Sequence, residues 1–220
     1  SGSTWTQEAI LDGSLGTTTN GRAADCFGSS ISADLNIIAV GVRFHDFDAI
    51  GSSSVSNAGA VFIYTRSGST WTLRQKLVNT GTNARANNSF GASTDVSEDL
   101  LFVGSPRYSF DSTGSNSISS AGIVYVYSWT GSSYTKQAAL ISQGTNGRKV
   151  NEFFGSDVKY SNKLLVVSSL NSFDEIGSSS VNNAGAVFIY SHSGTNVADW
   201  TFLRKVTGFG TNGRVASDQL

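Results

Sequence analysis

The chain repeats itself about every 63 residues over its 220, and few folds satisfy that constraint. Phe27-Gly28, Phe90-Gly91 and Phe154-Gly155 are spaced by 63 and 64 residues, and Ala58-Gly59, Ala121-Gly122 and Ala184-Gly185 by 63 and 63. Arg22, Arg85, Arg148 and Arg214 recur at 63, 63 and 66, and Asp48, Asp111 and Asp174 at 63 and 63. An aromatic residue, Trp5, Trp71, Tyr134 or Trp200, opens the last segment of each unit. So many landmarks in one register mark a tandem array, in which each unit depends on its neighbours to bury apolar surface.

Within a unit the strand signals are short and regular. Phe90 to Val96 mixes small and polar residues, and Leu100 to Gly104 is a continuous apolar run suited to a strand covered on both faces. Gly122 to Tyr127 is rich in β-branched and aromatic residues, and Tyr134 to Ile141 is a more polar outer strand. No segment keeps a helical period. Four short strands per unit, here A to D, predict the blade of a β-propeller, with strand A lining the channel and strands B and C packing blade on blade. The boundaries fall at about 4–66 (a D strand followed by A, B and C), 67–130, 131–194 and a partial 195–220, all within one domain over 1–220. Antiparallel strands turn at alternate ends. The short A–B and C–D turns therefore share one face, and the long B–C loops (from about 43, 105 and 169) and D–A loops (from about 12, 79 and 142) share the other. Long loops on one face of a rigid scaffold are where binding usually sits.

These landmarks resemble the FG-GAP repeat family, known from the integrin α-subunit propeller and from secreted or cell-surface proteins. The resemblance rests on the Phe-Gly pairs, on Val40-Gly41 and Val103-Gly104-Ser105-Pro106 at the end of strand B, and on Ala58 to Tyr64 and Ala184 to Tyr190. The third unit departs, with Val167-Ser168-Ser169. The resemblance covers essentially the whole chain and implies an extracellular or cell-surface binding or adhesion module without enzymatic activity. Integrin-type repeats carry a calcium loop between strands A and B. Here those turns are Ala33 to Asn36, Glu98 to Leu100 and Asn162 to Leu164, none with three oxygen ligands at alternate positions. The resemblance is thus to the calcium-free variety, and no metal or cofactor is expected.

Composition narrows the partners. Fifteen Lys+Arg against 16 Asp+Glu give a formal net charge of −1, which supplies no basic face for nucleic acid and no polybasic membrane patch. No apolar run approaches the ~20 residues of a spanning helix, so no membrane insertion is expected. One cysteine, Cys26, excludes a disulfide framework within the chain. The absence of Met suggests that the native start lies outside these residues.

The candidate ligand-binding or loop-pinning residues are Arg22, Arg85, Arg148 and Arg214 of the D–A loops and Asp48, Asp111 and Asp174 of the B–C loops. They share a face and a period. Two readings stand: a ring of repeated pockets for a protein or glycan ligand, or an Arg–carboxylate or Arg–carbonyl pin between the two loops, the reading preferred here because bidentate arginine pairs commonly fix loops. Asn87-Asn88-Ser89 is the one N-x-[ST] match, making Asn87 the glycosylation candidate. The tryptophans at strand starts are read as covers of the blade edge, with sugar stacking as the alternative. No nucleophile–base set is visible, since His45 and His192 fall at unrelated repeat positions. Asn-Gly-Arg is first of all turn chemistry.

Three blades do not close a ring. Trp5 to Leu11 reads as an orphan D strand, and after Trp200 to Val206 a fourth D–A loop begins. The expectation is therefore a segment of a larger propeller, its end flanks covered by further blades of the same chain or by other copies. The expected function is an extracellular adhesion-type binding or structural module. The alternatives are a carbohydrate-binding propeller and an accessory domain of a larger secreted enzyme.

Overall fold

The structure is a computed structural model, and it describes residues 4–12, 25–46, 54–79, 85–97, 99–113, 115–143, 148–172, 184–192 and 198–207. Among the described residues, twelve strands form three four-stranded antiparallel sheets, each a simple up-and-down meander. The first contains β1 (Phe27–Asp34), β2 (Ile37–Val42), β3 (Ala60–Ser67) and β4 (Thr70–Val78). The second contains β5 (Ser93–Ser97), β6 (Leu100–Ser105), β7 (Ile123–Trp129) and β8 (Tyr134–Leu140), and the third β9 (Phe154–Ser161), β10 (Leu164–Ser169), β11 (Ala186–His192) and β12 (Trp200–Val206). Among the described residues there is no helix, and none therefore that is long and apolar enough to cross a membrane.

The apolar runs become the middle strands because only those positions are covered on both faces. β6 is buried from Leu101 to Ser105, β3 from Ala60 to Tyr64 and β7 from Ile123 to Tyr127, whereas the outer strand β4 alternates with solvent over most of its length. Ala39, Val61 and Ile63 of the first sheet pack with Phe90, Leu101, Val103 and Tyr125 of the second. Phe102, Val124 and Val126 of the second pack with Phe154, Leu165, Val167 and Phe188 of the third. No described residue covers the outer face of the third sheet, and there β10 alternates strictly between exposed and buried over Leu164 to Val167.

The sheets meet at a recurring joint. Phe90 N–H donates to Ala58 C=O (2.9 Å) and Phe154 N–H to Ala121 C=O (3.1 Å), forming parallel bridges Gly59–Phe90 and Gly122–Phe154. The Ser30 hydroxyl donates to Gly91 C=O (3.0 Å), and Ser93 does the same to Gly155 C=O (2.9 Å). A Cβ on Gly41 or Gly104 would overlap that same carbonyl oxygen. The repeat glycines are thus places where two backbones touch.

Two expected strands differ. The first strand of the second unit pairs from Ser93, not Phe90, and Phe90 instead bridges to Gly59 of the preceding sheet. Trp5 to Leu11 is not a strand, since no ladder partner lies beside it among the described residues. It nevertheless lies against the first sheet: the Glu8 carboxylate accepts from Arg66 Nε and Nη2 and from Trp71 Nε1 (3.0 Å). Glu8 stands at the repeat position of Arg74, which stacks 3.3 Å over Trp129, the repeat equivalent of Arg66. Residues 5–11 therefore pass the first sheet's outer hairpin much as β4 passes that of the second.

Candidate functional site

The described parts of the long loops lie together and are laced backbone to backbone. Asn87 N–H donates to Ser56 C=O (2.8 Å) and Ser89 N–H to Asn57 C=O (3.2 Å); one unit on, Asn151 N–H donates to Ser119 C=O (2.8 Å) and Phe153 N–H to Ser120 C=O (3.0 Å). The residue before each Phe-Gly takes a left-handed bend: Cys26 at φ 57°, Ser89 at 55° and Phe153 at 54°. Cys26 is exposed and serves as that bend.

Around Phe110 the candidate residues converge. Arg148 donates from Nη1 to Phe110 C=O (2.5 Å) and from Nη2 to Gly122 C=O (2.8 Å), so one guanidinium ties the middle of the 105–122 loop to its end at Gly122. Arg85 lies 3.8 Å over the Phe110 ring, a cation–π contact. Burial pulls the Arg148 pKa below its ordinary value, and the Glu152 and Asp111 charges pull it back. Of the two contacts expected for Arg148, carboxylate or carbonyl, it makes the carbonyl one.

The Asp111 carboxylate is used by its own loop. It accepts from Thr113 Oγ1 (2.7 Å) and N–H (3.0 Å), from Ser115 N–H (2.9 Å), and from Asn116 N–H (3.1 Å) and Nδ2 (2.6 Å). These bonds, led by that of Thr113, hold its pKa well below the usual carboxylate range. This is an Asx-type turn that shapes the loop Arg148 then anchors. Arg22, Arg214, Asp48 and Asp174 lie outside the described residues.

A second polar constellation was not legible in the sequence. Two residues before each Phe-Gly stand Asp25, Asn88 and Glu152, all buried. Four residues after Gly41, Gly104 and Ser168 stand His45, Tyr108 and Ser172, also buried. Asp25 Oδ2 lies 2.8 Å from His45 Nδ1, and Glu152 Oε1 accepts from the Ser172 hydroxyl at 2.9 Å. Glu152 Oε2 also accepts from Ser142 Oγ (2.6 Å) and Lys149 N–H (3.2 Å). In the first and third units this position pair thus carries a polar pin, with different chemistry in each. The side chains of the His45–Asp25 pair are 0% and 4% exposed.

Asn87 is exposed at φ 63°, its side-chain carbonyl accepting from Asn57 Nδ2 at 3.0 Å. Asn88 and Ser89 of the same tripeptide are buried. The tryptophans differ. Trp5 is 99% exposed, Trp71 bonds Glu8, and Trp200 sits against Phe102 and Tyr160 at ring distances of 5.5 and 6.0 Å, covering the edge between the second and third sheets. Among the described residues no three His, Cys, Asp or Glu side chains come together as a metal set. No protein-family model matches the chain, and a comparison with curated proteins finds no match.

Proposed function

We propose that the three sheets are consecutive blades of an FG-GAP-type β-propeller, and that the chain acts as an extracellular or cell-surface binding and structural module, not as an enzyme. The observation that carries this reading is the recurring joint. The Ser30–Gly91 and Ser93–Gly155 contacts set the first strands of successive sheets side by side and leave the fourth strands outermost, the relation radial blades have. The loop face supports a binding role. Arg148, Asp111, Asn87 and Asn57 spend their polar groups holding long loops in fixed shapes, which prepares a rigid surface for a protein or glycan partner. The buried polar pins serve the scaffold.

Immobilised chain tested for cell adhesion and on a glycan array checks this reading. Adhesion or protein binding that weakens when the exposed loop residue Arg107 is replaced by Ala, with no glycan retained, supports the adhesion-type module. Glycan binding competed by free sugar moves the assignment to a carbohydrate-binding propeller. Substrate turnover by the purified chain would overturn it.

A further inference from the structure

The first and third units bury a carboxylate two residues before Phe-Gly, Asp25 and Glu152, and the second unit has Asn88 there. The backbone is held alike in the two later units: Ser105 Oγ donates to Asn88 C=O (2.8 Å) and Ser169 Oγ to Glu152 C=O (2.7 Å). The side chains differ. In the third unit Glu152 Oε2 accepts from Ser142 Oγ (2.6 Å). In the second unit Asn79 stands at the place of Ser142, 63 residues earlier. Asn79 is buried, and its Nδ2 has no hydrogen-bond partner among the described residues. Two further buried donor atoms share that condition, the Tyr125 hydroxyl and Arg148 Nε. Tyr125 replaces Phe62 and Phe188 of the other units, so this hydroxyl belongs to the second unit alone. The three groups share one neighbourhood. Burial, then the Tyr108 and Tyr127 phenols, push the Tyr125 pKa up, and the adjacent Asn79 amide pulls it down. The Tyr108 and Tyr125 rings lie 6.2 Å apart. Gly122 links Tyr108 to Arg148: its N–H donates to Tyr108 C=O (2.9 Å), and its C=O accepts from Arg148 Nη2 (2.8 Å).

We infer that the second unit binds a small monovalent anion of chloride size, held by Asn79 Nδ2, the Tyr125 hydroxyl and the Arg148 guanidinium, in place of the carboxylate that the flanking units bury. Buried donors left without acceptors are costly, so the three groups favour any acceptor that fits among them. Asn88 brings no negative charge, where Asp25 and Glu152 bring one each. A water would carry two more hydrogens into a cluster of donors, whereas a halide accepts from all three and asks for no acceptor in return. The arginine makes the contact charge-assisted. Burial pulls the Arg148 pKa down, and a negative charge beside it acts in the opposite sense, as Glu152 and Asp111 already do. One carboxylate is missing, so one negative charge restores the balance of the other units. The site lies inside the scaffold and is independent of what the loop face binds.

Thermal melts in sodium chloride and in sodium gluconate at equal ionic strength test this, because gluconate is too large to be buried there. The wild-type Tm should rise saturably with chloride, by on the order of 3 °C over gluconate. Bromide should act as chloride does, and in crystals grown from bromide its anomalous peak should lie beside Asn79 and Tyr125. Asn88→Asp supplies the carboxylate of the flanking units. It should melt in gluconate near the temperature of the wild type in chloride, and chloride should add nothing. Tyr125→Phe installs the residue that both flanking units carry at this position, so it should fold, and it should lose most of the chloride shift. A wild-type Tm equal in the two salts overturns the inference. So does a chloride shift that persists undiminished in either variant, or a bromide crystal with only water beside Asn79 and Tyr125. Should Asn88→Asp lose its cooperative melt, Tyr125→Phe decides alone.

Discussion

His45 Nδ1 lies 2.8 Å from the Asp25 carboxylate, with the imidazole fully buried between the end of β2 and the approach to β1. The same two positions hold Glu152 and Ser172 in the third unit, bonded at 2.9 Å. Each pin gives a buried carboxylate a side-chain partner, and buried polar groups are costly when left unsatisfied.

Stability should fall on mild acidification because of His45. Burial, the leading cause, lowers its pKa. The Asp25 hydrogen bond raises it, Lys76 lowers it, and the Asp25 and Asp46 charges raise it, with burial prevailing. A histidine whose folded pKa lies below its unfolded value of about 6.5 binds fewer protons folded than unfolded. Its contribution is therefore complete above that value and is lost as pH drops through it. Thermal melts from about pH 7.5 down to about pH 5.5 should show Tm falling, and His45→Gln should flatten that slope while lowering Tm at neutral pH. A slope unchanged in the variant would refute the assignment.

Gly104→Ala should be among the most damaging single substitutions, since its Cβ would overlap the Gly155 carbonyl oxygen and the Ser93 hydroxyl. A loss of about 2 kcal/mol or more is expected, from backbone displaced at the joint. Gly131→Ala is the control. At φ 91° it is strained, but its Cβ would meet nothing, so about 1 kcal/mol is expected. Urea midpoints at constant m-value measure both.

Removing Arg148 should free the 105–122 loop at Phe110 and at Gly122. Arg148→Ala leaves Phe110 C=O and Gly122 C=O without their donor and should cost roughly 1.5–3 kcal/mol. Arg148→Lys should recover little, because a single ammonium does not reproduce a fork that reaches two carbonyls. Limited proteolysis should cut both variants within the loop at concentrations that spare the wild type.

Asp111 should remain ionised through ordinary carboxylate titration. Its depressed pKa means that what it adds to loop order is complete above the unfolded value of about 3.9 and is lost only well below it. Backbone NMR signals of Thr113, Ser115 and Asn116 should hold steady through about pH 4, and Asp111→Ala should shift all three at neutral pH. A midpoint near the ordinary value would show that the carboxylate is not held as described.

Much of the architecture was legible in the chain, because the repeat is written in residues whose constraints are local. Phe-Gly and Ala-Gly pairs, β-branched runs and Gly/Ser turns each demand a particular backbone, and a 63-residue period places them in successive copies. The strand content and the four-strand unit follow from that pattern. What the glycines were for did not follow. Gly41 and Gly104 were landmarks in the sequence, and only the approach of the next sheet's carbonyl shows that a Cβ there is forbidden. The buried pins were hidden for a physical reason. Burial demands that a polar pair be satisfied but leaves its chemistry open, so Asp25–His45 and Glu152–Ser172 share a place without sharing residue types. Arg148 and Asp111 were visible as a recurring pair on one face. Their division of labour, carbonyls for the arginine and its own loop for the carboxylate, was decided by distances that exist only once the sheets have packed.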